Sequence, residues 1–169
     1  MKEQFIHINE YDTNFHYSDR EMRILHREDG PAVEYVDGHK EWWINGKRHR
    51  EDGPAIEYAD GGKAWFINGE YHREDGPAID YINGTKVWWL DGKRHREDGP
   101  AVESASGSKT WYLNGERLTE EEFNARMNPT TELTLDEIAE KFGIQEVKSV
   151  TIKFQTSTPY INEQRKPFS

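Results

Sequence analysis

The chain has 169 residues and a formal net charge of −10, with the acidic excess spread over its N-terminal, middle and C-terminal segments alike. This excludes a row of basic residues facing phosphates or anionic lipid, so neither direct nucleic-acid binding nor membrane binding is expected. Hydrophobic residues make up only 34%, but six Trp, eight Tyr and seven Phe supply large rings able to order a thin β structure, and the absence of Cys excludes disulfides and thiolate chemistry.

Residues 1–25 contain "FIHI" and "NFHY", which read as leading strands. The start lacks the apolar stretch of a secretory signal, and no run approaches membrane-spanning length, which points to a cytoplasmic protein. From residue 26 the heptad "HREDGPA" appears four times, at 26–32, 49–55, 72–78 and 95–101, each time heading a unit with a period of 23. A fixed period of this kind marks an array in which each repeat needs its neighbours, here over residues 26–118. Within a repeat, "YVDGHK" and "WINGKR" place Asp-Gly and Asn-Gly between short runs rich in Val, Ile, Trp and Tyr, a pattern that predicts hairpins with two-residue turns.

A two-residue turn at Asp37-Gly38 pairs Val33 with Trp42 and Ala32 with Trp43, and paired residues share a face. The expected core face then carries Val33, Tyr35, Trp42 and Ile44, followed by Ile56, Tyr58, Trp65 and Ile67, by Ile79, Tyr81, Trp88 and Leu90, and by Val102, Trp111 and Leu113. The opposite face carries Glu34 with Trp43, Glu57 with Phe66, Asp80 with Trp89, and Glu103 with Tyr112. Of these, Trp43, Phe66, Trp89, Tyr112, Glu34, Glu57 and Asp80 form the expected partner-binding surface, because exposed rings dominate interface energetics.

In a shifted frame, "AWFINGEYHREDGPAIDYINGTK" (64–86) resembles the MORN repeat, also of 23 residues. The matching positions of the first repeat are Tyr35, Asp37, Gly38, Trp42, Gly46, Lys47, Arg48 and His49, and the match covers about 26–118. The resemblance implies an elongated meander of stacked hairpins acting as a scaffold or binding module. The "HREDGPA" variant is similar to repeats of bacteriophage and bacterial proteins, some of them antitoxin-like. Where many MORN repeats have Gly before the Trp, this chain has Glu41, Ala64, Val87 or Thr110, a departure that removes support for the lipid binding proposed for the family.

The heptad itself reads first as a corner, with Asp29-Gly30 turning and Pro31 starting a strand. Its other residues, His26, Arg27, His49, Arg50, His72, Arg73, His95 and Arg96, form a secondary candidate contact edge. At two strands of ~4.8 Å per repeat, successive His lie roughly 10 Å apart or more, too far to share a metal ion. No cofactor is expected, and four copies of a shallow edge are poor material for a catalytic pocket.

After Arg117 the repeat decays. Thr119 and Glu122 fit a capping box opening a helix with Phe123 and Met127 inward, and Thr134 with Glu137 fits a second, with Leu135, Ile138, Ala139 and Phe142 on one face and Gly143 as its stop. Val150, Ile152 and Phe154 alternate as a strand. Residues 119–155 thus read as a small helical and β cap, and 156–169 as a flexible tail.

The chain is therefore expected to be a mainly β, non-catalytic protein-binding repeat module. The resemblance adds the role of a phage-type or antitoxin-like inhibitor of a bacterial protein, and self-association is left open. The alternative is a binder of a small anionic ligand such as a nucleotide, held by Arg27, Arg50, Arg73 or Arg96. A third reading is an enzyme using the repeated His, Glu and Asp.

Overall fold

A computed structural model describes residues 5–129 together with 139, 140 and 143. The chain divides into two compact parts, residues 1–123 and 124–169. The first is mainly β and opens with β1 (Phe5–Ile8) and β2 (Asn14–Tyr17), the two segments expected as leading strands. The first repeat contributes β3 (Val33–Glu34) and β4 (Lys40–Glu41), then a separate hairpin of β5 (Trp43–Ile44) and β6 (Lys47–Arg48). The second repeats this with β7 (Ile56–Glu57), β8 (Lys63–Ala64), β9 (Phe66–Ile67) and β10 (Glu70–Tyr71). The third supplies β11 (Ile79–Asp80), β12 (Lys86–Val87), β13 (Trp89–Leu90) and β14 (Lys93–Arg94). The last has β15 (Val102–Glu103), a longer β16 (Lys109–Leu113) and β17 (Glu116–Leu118).

One sheet of eleven antiparallel strands runs β1-β2-β3-β4-β7-β8-β11-β12-β15-β16-β17. The second hairpins stand apart from it because the chain leaves the ladder at Trp42. The N–H of that residue donates to Ala55 O in the next repeat, while its C=O accepts from His49 N–H.

The two Gly-containing turns differ, and this corrects the expected faces. Asn45 and Gly46 both have positive φ, 51° and 74°, as a two-residue turn requires, and Trp43 pairs with Arg48 across it. At Asp37-Gly38 only Gly38 is left-handed, at 92°. Tyr35 N–H donates to His39 O and Gly38 N–H to Tyr35 O, so three residues, Val36, Asp37 and Gly38, make the loop. Val33 consequently pairs with Glu41, not Trp42. A slip of one residue exchanges the faces of a strand. The slip moves Glu41, Ala64 and Val87 to the side of Val33, Ile56 and Ile79, and Phe66, placed outside, is buried. Tyr35, Tyr58 and Tyr81, placed in the core by the two-residue reading, keep the side of those residues but are exposed, because they close the turns at the ends of the strands.

The observed register gives the sheet two rows. One runs Phe15, Val33, Glu41, Ile56, Ala64, Ile79, Val87, Val102 and Thr110, and is the apolar side. The other alternates in sign: Glu34, Lys40, Glu57, Lys63, Asp80, Lys86, Glu103, Lys109. Opposite charges directly across strands favour this register and disfavour a slip.

The interior lies at Ala55, Ile56, Ala64 and Phe66, with Trp42 and Tyr71 packed against them. Along the second hairpins the rings and two guanidinium groups alternate in one stack. Arg48 lies 5.0 Å from the Trp43 ring and 5.6 Å from Phe66; Phe66 meets Tyr71 at 4.1 Å; Tyr71 meets Trp89 at 5.3 Å; Arg94 lies 5.3 Å from Trp89 and 5.2 Å from Tyr112. Such contacts contribute about 0.5–2 kcal/mol each, so a chain poor in aliphatic residues is held together largely by rings and Arg.

Residues before the array form a degenerate repeat. His16 N–H donates to Ala32 O and His16 O accepts from His26 N–H, as Trp42 does with Ala55 and His49 one repeat later. Gly46 N–H donates to Leu25 O as Gly69 N–H does to Arg48 O. His16 therefore occupies a tryptophan seat.

At the end of the array Leu118 is buried, and the capping box is present in both directions: Thr119 N–H donates to Glu122 Oε2 (2.8 Å) and Glu122 N–H to Thr119 Oγ1 (3.2 Å). It opens α1 (Glu120–Met127), which buries Phe123 and half-buries Met127. In the second part Ala139 and Glu140 are helical, and Gly143 turns with a φ of 64°. Thr134, Leu135, Glu137, Ile138, Phe142, the expected strand at Val150, Ile152 and Phe154, and the tail lie outside the described residues.

Candidate functional site

The four heptads build the same loop. In the second, Arg50 donates from Nε to Asp52 Oδ1 (2.9 Å) and from Nη1 to Pro54 O (3.2 Å) and Glu57 Oε1 (3.1 Å), while its guanidinium lies 4.1 Å from the Trp42 ring. Arg73 and Arg96 lie over Trp65 and Trp88 at 4.0 and 3.9 Å, with Asp75 and Asp98 as Nε partners. Arg27, in the first loop, bonds Asp29 and Glu34, and its Nη1 lies 3.1 Å from His16 Nε2. A planar fork of fixed donors suits this task, which a lysine could not perform. A Cβ at Gly53 would stand 2.9 Å from the Arg50 guanidinium carbon, so a larger residue there would have to displace that side chain.

Each histidine serves the second turn of its own repeat. His26 Nδ1 accepts the backbone N–H of Asn45 (3.0 Å), His49 that of Asn68 (3.1 Å), His72 that of Asp91 (3.4 Å) and His95 that of Asn114 (3.0 Å). Each donor is a left-handed residue in the second turn of the same repeat. At His49 and His72 the side chains of Asn68 and Asp91 also reach Nδ1, at 3.2 and 2.8 Å. His26, Arg27, His49, Arg50, His72, Arg73, His95 and Arg96 are thus all engaged inside the array. What the loops turn outward is acid: Asp29, Asp52, Asp75 and Asp98 are 77–85% exposed, whereas the four arginines are 19–24% exposed.

The expected partner-binding row is also largely engaged. Phe66 is buried, and Trp43, Trp89 and Tyr112 are half-buried within the ring stack. Glu34 and Glu57 accept from Arg27 and Arg50, and Asp80 lies 3.6 Å from Lys86 Nζ. Open instead are the tips of the three-residue turns: Tyr35, Val36, Tyr58, Tyr81 and Ile82. Tyr35 and Tyr58 flank the His39 ring at 4.8 and 5.2 Å, edge on. In the fourth repeat Ser104 takes the tyrosine position and the row stops.

A buried carboxylate distinguishes the first repeat from the third. Glu41 accepts from Trp43 Nε1 (2.9 Å) and Arg48 Nε (3.2 Å), and lies 3.1 Å from His39 Nε2. In the third repeat Val87 holds that position, and the corresponding Trp89 Nε1 and Arg94 Nε are buried without an acceptor among the described residues.

Burial, then the Arg27 guanidinium, hold His16 below the ordinary imidazole value of 6.5, against the opposing pull of Glu34 and Asp29. The unfolded chain therefore takes up a proton that the folded chain resists. The contribution of His16 is intact above pH 6.5 and declines as the pH falls from there towards its folded value. Hydrogen bonds from Arg27, Arg50 and Arg73 hold Asp29, Asp52 and Asp75 below 3.8, so their contribution is present above that pH and is lost as the pH falls below it. Acid titration of the melting temperature should show one decline beginning near pH 6.5 and another below about pH 4. His16→Leu should flatten the first; an unchanged slope in that variant would show that His16 is not its source.

No three His, Asp or Glu side chains among the described residues gather closely enough to hold a metal ion. No helix among them is long and apolar enough to cross a membrane. No family model and no curated protein matches the chain.

Proposed function

We propose that the chain is a non-catalytic, MORN-like protein-binding repeat module. The supporting observation is the exposure of a tyrosine at the same turn in three successive repeats, Tyr35, Tyr58 and Tyr81, with Val36 and Ile82 beside them. Tyrosine offers a large contact area at low entropic cost together with a polar tip, and is enriched where proteins meet. The involvement of Arg27, Arg50, Arg73 and Arg96 in their own loops argues against the anionic-ligand alternative. The similarity of the "HREDGPA" repeats to those of phage and bacterial proteins suggests the setting: inhibition of a bacterial protein in the cytoplasm.

The test is affinity capture from a bacterial lysate, followed by titration of the captured protein. The Tyr35→Ala/Tyr58→Ala/Tyr81→Ala variant should lose about 2 kcal/mol or more of binding, some thirtyfold, while remaining folded. Undiminished affinity in that variant would remove the tyrosine row as the contact.

A further inference from the structure

Two grooves lie between successive heptad loops, one repeat apart. The first, of about 660 Å³, has Trp42 and Ile44 in its lining, and carries Glu28 and Asp29 on one loop and Glu51 and Asp52 on the next. The second, of about 540 Å³, has Trp65 and Ile67, with Glu51 and Asp52 on one side and Glu74 and Asp75 on the other. Both fall in the volume range of ligand sites. They share the loop of Arg50, Glu51 and Asp52 as a common wall.

Each groove brings two arginines against four carboxylates. The charges are segregated: the Arg50 and Arg73 side chains are 23% and 24% exposed, whereas Glu51, Asp52, Glu74 and Asp75 are 62–85% exposed. The Nε and Nη1 donors of Arg50 and Arg73 are directed at their own loops, and Arg50 also at Glu57 on the strand behind, so an arriving group meets carboxylate rims above a Trp and an Ile. That combination suits a long side chain with an apolar stem and a cationic head, the chemistry of Lys and Arg.

We propose that these grooves form a docking track for an extended basic segment of a partner protein, with a Lys or Arg side chain seated in each. The shared wall favours a chain over a small free cation, because a ligand whose side chains recur along one backbone occupies both grooves at once and gains from their linkage. This track is a second surface, built from residues other than the tyrosine row, and does not depend on that row being the contact for the proposed partner.

The probe is a synthetic peptide of six Gly-Arg pairs, titrated calorimetrically into the full chain at low and high salt, with a Gly-Glu peptide and spermine as comparisons. The Arg peptide should bind, weaken as salt rises and lose at least tenfold in affinity in Glu51→Lys/Glu74→Lys. The milder Glu51→Gln/Glu74→Gln should show a smaller loss, and Glu10→Lys/Glu121→Lys, with the same change in net charge, should bind as the parent does. The tyrosine triple variant should retain the peptide, which separates failure of this inference from failure of the previous one. No binding at low salt, equal losses in the two Lys double variants, or spermine binding as tightly as the peptide would overturn the proposal.

Discussion

Phe66→Ala is expected to lower the melting temperature by roughly 10 °C, corresponding to about 3–5 kcal/mol for truncation of a buried aromatic side chain. Phe66 is 5% exposed, packs with Ala55, Ile56 and Ala64, and lies between Arg48 and Tyr71 in the ring stack. Its removal opens a cavity and separates two neighbours that hold adjacent repeats together. In a repeat array most stability arises at such junctions, so loss at an inner repeat weakens both sides. Ile82→Ala, at a turn tip, is the comparison and should stay within about 0.5 kcal/mol. Equal shifts in thermal melts of the two variants would place Phe66 outside the interior.

The second large effect concerns a single position and its counterpart two repeats away. Glu41→Val should cost about 3 kcal/mol or more, because Trp43 Nε1 and Arg48 Nε would lose their buried acceptor. Val87→Glu should do the reverse, raising the melting temperature by giving Trp89 Nε1 and Arg94 Nε the partner they lack. The prediction runs against the usual cost of burying a carboxylate, and it rests on the equivalence of the two seats: Glu41 pairs with Val33 and Ile56, and Val87 with Ile79 and Val102. Destabilisation by Val87→Glu on the scale of an unpaired buried charge would show that the seats are not equivalent.

The period, the presence of hairpins, the leading strands and the capping box at Thr119 were all legible in the sequence, since each rests on local chemistry. The faces were not, and the reason is one turn. Asp-Gly serves both a two-residue loop, with two left-handed residues, and a three-residue loop, with one. A clue was present in the fourth repeat, where Ser106 precedes Gly107: serine is a poor left-handed residue, whereas the second turns carry Asn45, Asn68, Asp91 and Asn114. Reading that clue would have shifted the register by one and placed Glu41, Ala64 and Val87 inside. The grip of His26 on the Asn45 amide, nineteen residues away, had no local signature. A histidine looks the same in a sequence whether it faces solvent or closes the following hairpin.

The bonds that seat one repeat stay within it or reach an adjacent repeat. His49 closes the hairpin at Asn68, Arg50 lies over Trp42, and Arg48 O receives Gly69 N–H, each pattern recurring with the same offset. None of these contacts measures the length of the array. Only the ends are marked, by His16 in a tryptophan seat at the start and by Leu118 with the Thr119 capping box at the finish. The number of repeats is thus a quantity the packing leaves open. A gene encoding such a chain could gain or lose 23 codons between the two end pieces without disturbing any seat, and the tyrosine row and acidic track would lengthen or shorten with it.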